Sequence, residues 1–224
     1  MALTRNDIVA EAILLLNEEG LAKLSLRKLA ARLNISAPTL YWHVKDKREL
    51  LDLMVEKIFA DYREKHPPVQ KPPLPWHERI AWFMRMRYLA LIEVRDAPLV
   101  LAGNRPTEAM LPSIERWLSL WIEAGFSHQE AFRTIMAVGN FIIGSALEYQ
   151  AEAERAALRR NAQRVSPLDG KDAYPHLKQT VLEGRGSFDP HAPFEIGLSL
   201  LIEGLRRRQE EIAANKKGDP KAAL

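Results

Sequence analysis

The stretch SAPTLYWHVKDKREL, Ser36 to Leu50, sets three ringed side chains in a row and follows them with a basic cluster. Successive residues on a helix point about 100° apart, so Tyr41, Trp42 and His43 cannot all face one interior. Leu40 and Val44 are four apart and share a face, which makes them the inward anchors. Ser36 suits a helix cap, and Pro38 is tolerated in a first turn. That leaves Ala37, Pro38, Thr39, Tyr41, Trp42 and His43 outside, with Lys47 at the start of the next helix. The competing reading packs Tyr41 and Trp42 between helices.

Just upstream, Ser25 to Leu33 reads as another short helix, burying Leu26, Leu29, Ala30 and Leu33. Asn34 suits a left-handed turn. Two short helices joined by a tight turn form a helix-turn-helix. Its second helix carries short or planar side chains that suit nucleic acid. Ala37 and Pro38 can touch a thymine methyl, and Thr39 can reach a phosphate or a base edge. Tyr41 and His43 can reach phosphates. Lys47 can pair with a phosphate, and Arg27 can offer two donors to a guanine edge.

Charge is distributed to match. Residues 21–48 hold seven basic side chains (Lys23, Arg27, Lys28, Arg32, Lys45, Lys47 and Arg48) against one acid, Asp46. The whole chain carries only +3, so its remainder is slightly acidic. One anion-facing surface on an ordinary globular protein fits this asymmetry. There is no cysteine, which excludes disulfides, thiolate metal sites and a cysteine nucleophile and fits a cytoplasmic protein. The N-terminus is too acidic and amphipathic for a signal peptide, and no apolar run approaches a membrane span.

Almost every segment reads as helix, so the expected fold is all-α. The first helix starts at Thr4, with Asp7 as box partner, buries Ile8, Ala12, Leu15 and Leu16, and ends at Gly20. Asp46 and Glu49 start a fourth helix, Leu50 to about Lys65. HPPVQKPPLP, His66 to Pro75, has five prolines and must interrupt it. The expected division is a DNA-binding module with its connecting helix over 1–66, a ligand-binding and dimerisation domain over 67–212, and a flexible tail over 213–224. Within the larger domain helices are expected at 76–94, 98–102, 107–124, 129–154, 174–182 and from Asp189 to about Gln209. Ser127 and Glu130 form a capping box, and 160–173 reads as a polar loop.

LSLRKLAARLNISAPTLYWHVKDKRELLD, Leu24 to Asp52, resembles the DNA-binding module of TetR-family transcriptional repressors. RPTE at Arg105–Glu108 and AGFSHQEAF with AVGNFIIGSALEYQ, within Ala124–Gln150, are similar to the tetracycline-responsive subclass of that family. The resemblance implies an all-helical homodimer, a palindromic double-stranded operator and a small-molecule inducer. It also assigns DNA contacts to Arg27, Ala37, Pro38, Thr39, Tyr41, Trp42, His43 and Lys47. Ala37 stands where the subclass has a base-reading glutamine, so the operator is expected to differ, because a methyl cannot read adenine's two-point pattern.

For the inducer the resemblance points to Arg63, Phe83, Arg87, Leu101, Arg105, Pro106, Ser113, Trp117, Asn140 and Glu148. Arg63, Phe83, Arg87 and Trp117 stand where the subclass holds the drug with histidine, asparagine, phenylalanine and glutamine. Leu101 stands at a magnesium-binding histidine, and leucine cannot ligate a cation. The expected inducer is therefore a metal-independent aromatic or anionic compound, held among Phe83, Trp82, Trp117, Trp121, Phe141 and Leu101 with a cation at Arg87. A tetracycline-responsive repressor and a DNA binder without inducer are the alternatives. No cofactor is expected.

Small and apolar residues at Ile135, Val138, Gly139 and Ile142, and the stripe Leu198, Leu201, Ile202 and Leu205, are the expected dimerisation faces. Reading a palindrome requires two-fold symmetry. An enzyme is not expected. The six histidines lack metal spacing, there is no phosphate loop or G-x-S-x-G, and Glu148, Glu152 and Glu154 lie on a polar helix.

Overall fold

The structure is a computed structural model that describes residues 3–67, 74–159, 174–183 and 189–218. The described residues form ten α-helices and two 3-10 turns, with no strand among them. Thr4 and Asp7 cap α1 (Arg5–Glu19) as a reciprocal box, and Gly20 closes it at φ 82°. Ser25 caps α2 (Leu26–Arg32), and Asn34 makes the left-handed turn at φ 55°. Ser36 caps α3 (Ala37–Tyr41) by accepting the Thr39 N–H. Then follow α4 (Lys47–Lys65) and, after the proline-rich interruption, α5 (Trp76–Glu93) and α6 (Ala97–Leu101). A 3-10 turn at Glu108–Met110 leads into α7 (Leu111–Glu123), and α8 (His128–Arg159), α9 (Pro175–Glu183) and α10 (Ala192–Gly218) complete the chain.

Several boundaries differ from expectation. Asp46 caps α4 by accepting the Glu49 N–H, so the helix starts at Lys47 rather than Leu50. Glu49 reaches back to the Lys45 N–H, one residue beyond a standard box. Arg105 to Thr107 form no helix, Glu108 opens the 3-10 turn, and α7 begins only at Leu111, with a proline in its first turn. Ser127 and Glu130 do form the expected box before α8. α8 continues past Glu154, and α10 past Gln209, because both carry strong helix formers beyond those points. Leu26 and Leu33 are only half-buried. The expected loop at 160–173 lies outside the described residues.

Two apolar cores result. One gathers Ile8, Ala12, Leu15, Leu16, Leu29, Leu40, Val44, Leu50 and Met54 from α1 to α4. The other gathers Ile58, Tyr62, Met84, Tyr88, Trp121, Ile142 and Phe194 from α4, α5, α7, α8 and α10. α4 contributes its first half to one core and its second half to the other. At 1.5 Å per residue it is a rod of about 28 Å joining them.

A second junction lies at residues 94–96. Asp96 adopts φ 57°, and its Oδ2 accepts the Leu21 N–H at 2.7 Å. The Arg95 N–H donates to Asn17 Oδ1 at 2.9 Å. Gln150 of α8 donates to the Leu91 and Val94 carbonyls and accepts the Asp96 N–H. Gly20 is required here twice over. Its φ is positive, and a Cβ would stand 3.0 Å from Asp96 Oδ2.

Candidate nucleic-acid interface and ligand cavity

α3 is five residues long and presents two opposed faces. Leu40 and Val44 are buried in the N-terminal core. Ala37, Pro38, Thr39 and Tyr41 are exposed, His43 is half-buried, and Trp42 is 86% exposed. The reading that packed Tyr41 and Trp42 between helices therefore does not hold. Arg27 and Lys47 are both exposed on the same module.

The basic stripe is thinner than its composition. Lys28 pairs with Glu19, Arg32 with Glu11 and Glu18, and Arg48 with Asp52. These pairs brace α2 against α1 and hold α4. Among the described residues Lys23, Arg27, Lys45 and Lys47 are the basic side chains of this stretch left without an ion pair, so they carry its usable positive charge.

A cavity of about 140 Å³ opens between α4, α5 and the start of α7. Arg63, Phe83, Arg87 and Ser113 line it, as does Trp82. Arg87 lies with Cζ 4.0 Å above the Phe59 ring and 5.3 Å from the Phe83 centroid. Burial, and then the neighbouring Arg63 charge, push the Arg87 guanidinium down to about 10, so it remains charged at neutral pH.

The other expected ligand residues fall elsewhere. Trp117 stacks on Phe83 at 3.9 Å and 17° and backs the cavity wall without lining it. Trp121, four residues on and fully buried, lies in the core, because α7 turns that whole stripe inward. Leu101 packs between the two cores. Arg105 and Pro106 are exposed on the RPTE segment, outside any helix. Asn140, Glu148 and Phe141 line a second, open hollow of about 650 Å³ beside Tyr88, Tyr149 and the start of α10. In this hollow's wall Tyr88 and Phe194 stack at 3.9 Å, and burial pushes the Tyr88 phenol up to about 12.

Sequence reasoning missed Glu56, Phe59, Ala60, Tyr62, Met86 and Met110 on the first cavity. The spacing 52, 56, 59, 63 along α4 marks one helical face and could have found Glu56 and Phe59. It also missed how RPTE is fastened. Asp52 Oδ1 accepts from Asn104 at 2.8 Å and from the Arg105 N–H at 3.2 Å, and Thr107 donates to Glu56 at 2.7 Å. The cavity wall and the connecting helix are thus tied at two points.

The residues expected at the dimer face are largely engaged within the chain. Val138, Ile142 and Leu198 are buried in this chain's own core, and Ile135, Leu201, Ile202 and Leu205 pack partly against it. The large apolar side chains exposed on α8 are Phe132, Met136 and Leu158, and those on α10 are Ile196 and Leu200. The stripe expected to join two copies is thus engaged within the chain, and a separate apolar stripe faces outward. Gly139 keeps its outward place, with nothing within 4 Å of an added Cβ.

An all-helical body beneath a short exposed helix with buried Leu40 and Val44 defines a helix-turn-helix, DNA-binding transcription regulator. Residues 8–54 match the family described as bacterial regulatory proteins, tetR family, and residues 68–209 match the tetracyclin repressor-like C-terminal domain. The chain belongs to the tetR family. It is 31% identical to the tetracycline repressor protein class A from transposon 1721 of Escherichia coli, over 96% of this chain and 97% of that one. TetR from Acinetobacter baumannii AYE has the same fold, with TM-score 0.66 and 32% identity over 93% of this chain and 99% of that one. The Streptomyces coelicolor TetR family protein ActR in complex with actinorhodin superposes at TM-score 0.72 and 26% identity, with the same coverage. No described helix is long and apolar enough to cross a membrane.

Proposed function

We propose that this protein is a homodimeric repressor that holds a palindromic operator and releases it when a small molecule fills the cavity beside Arg87. The observation that carries this reading is the shared rod. α4 is built into the core under α3 at Leu50 and Met54 and lines the cavity at Glu56, Phe59 and Arg63. A ligand that moves the wall at Met110 and Ser113 pulls on Asp52 and Glu56 through the RPTE segment. The rod tilts, and the separation of two modules in a dimer changes. Coupling of this kind is typically worth about 1–3 kcal/mol.

Exposed Arg27, Ala37, Pro38, Thr39, Tyr41 and Trp42, with half-buried His43, form the reading surface, with Lys47 on phosphate. Exposed Phe132, Met136, Ile196 and Leu200 form the face that joins two copies. The inducer is a compound other than magnesium–tetracycline. Leu101 offers no lone pair, and its side chain is spent between the cores. Selection from random duplexes tests the operator. Recovered sites should be inverted repeats with centres about one helical turn, roughly 34–36 Å, apart. Recovery of single half-sites without symmetry would sink the dimeric reading.

A further inference from the structure

We infer that the cavity takes a small aromatic carboxylate, one or two rings in size, whose carboxylate pairs with Arg87 while its ring meets Phe59, Phe83 and Met86. This rests on the ligand-gated reading above and adds the chemistry of the ligand. Among the described residues Arg87 has no carboxylate within 4 Å and no hydrogen bond. Two residues earlier on the same helix, Arg85 holds Glu195 through both oxygens. Arg87 is half-buried, so leaving its guanidinium without a counter-ion carries a desolvation cost, and the Phe59 ring face compensates only part of it. A second cation, Arg63, lines the same cavity and also has no ion pair among the described residues.

Two cations therefore face one apolar space, and the Arg63 charge disfavours that of Arg87. The one acid on the wall, Glu56, is engaged by the Thr107 hydroxyl. The guanidinium fork matches a carboxylate in two-point geometry. The walls supply Phe59, Trp82, Phe83 and Met86, and a cavity near 150 Å³ is known to accept a benzene ring. These dimensions and charges select a compact aromatic acid over a neutral or cationic compound.

Calorimetric titration of the full-length protein with 1-naphthoate and with its neutral counterpart 1-naphthamide tests this. The acid should bind at least about tenfold more tightly than the amide. Arg87→Met, which keeps most of the side-chain volume, should abolish the preference, and Arg87→Lys should restore part of it. Retained helical circular dichroism and a cooperative melting transition establish that both variants fold. Equal or tighter binding of the amide, a preference that survives Arg87→Met, or no binding of either compound overturns the inference. A gel shift separates the two claims. Naphthoate that binds at Arg87 but leaves the operator complex intact upholds the ligand chemistry and defeats ligand-driven release. Release by naphthamide alone does the reverse.

Discussion

Asp52 Oδ1 accepts the Arg105 backbone N–H at 3.2 Å, and the same oxygen holds the Arg48 Nη2 at 2.8 Å and the Asn104 amide at 2.8 Å. One carboxylate oxygen on the connecting helix thus gathers a guanidinium of that helix and two donors of the segment that leads into the cavity wall. Asp52→Ala should lower stability by about 1–3 kcal/mol, since it leaves these donors without their acceptor. Its more specific effect is on coupling. The variant should still bind both operator and ligand, but ligand should shift operator affinity about tenfold less than in the parent. Operator titrations with and without ligand read this directly. Unchanged coupling would remove Asp52 from the relay.

Leu40 and Trp42 stand two residues apart and should fail in opposite ways. Leu40→Ala opens a cavity in the N-terminal core and should cost about 2–5 kcal/mol in urea unfolding. Trp42→Ala removes an exposed ring and should change stability by no more than about 0.5 kcal/mol. It should nevertheless weaken operator binding strongly. A large stability loss from Trp42→Ala would mean that the ring packs in solution and is no reading element.

Arg27 and Lys47 separate sequence readout from phosphate attraction. Arg27→Ala should cost about 1–3 kcal/mol in operator affinity and relax discrimination at one base position. Lys47→Ala should weaken all duplexes alike and reduce the slope of log affinity against log salt by about one. Gel shifts over a salt series with operator and scrambled DNA measure both. The Arg27 role is wrong if its loss is equal for the two duplexes.

These contrasts trace how far the sequence could be read. The two-faced α3 was legible because Leu40 and Val44 are local and their spacing alone assigns the faces. The caps at Thr4, Ser36 and Ser127 were legible for the same reason. The cavity was half legible. Arg63, Phe83, Arg87 and Ser113 meet there, but Asn140 and Glu148 lie in another hollow, since the distance between α8 and α4 is a tertiary property. The apolar stripes of α8 and α10 were legible by period, but not which of them packs inside the chain. On a helix as long as α8, apolar residues occupy both sides, and only the packing of α5 and Phe194 shows which side the chain has already used.

Arg85 and Glu195 predict a pH response. Their two-point contact, 2.7 and 2.6 Å, ties α5 to α10 across 110 residues and holds the Glu195 carboxyl below its ordinary 4.5. Above that value the carboxylate is ionised in both folded and unfolded chains, and the pair contributes in full. As pH falls below it the unfolded chain takes up the proton first, and the contribution is lost as the folded value is passed. Both side chains are 43% exposed, so solvent screening keeps the effect under about 1 kcal/mol. Urea midpoints from about pH 6 down to about pH 3 should show Glu195→Gln less stable than the parent at the upper end and converging with it at the lower. Parallel curves would remove the pair from the acid limb.

Leu200 and Leu198 share α10 but face opposite ways. Leu200 is 70% exposed beside Ile196, while Leu198 is buried against the body. Leu200→Arg places a charge on the outward stripe and leaves the chain's own core intact. If Phe132, Met136, Ile196 and Leu200 join two copies, the variant should sediment as a monomer, keep its helical circular dichroism and lose the palindromic operator while retaining weak binding to a half-site. Leu198→Ala should instead cost about 2–5 kcal/mol through the cavity it opens, with any loss of dimer following from unfolding. Analytical ultracentrifugation of both variants, beside their melting curves, distinguishes the two. A Leu200→Arg protein that still sediments as a dimer would move the two-fold axis to another face.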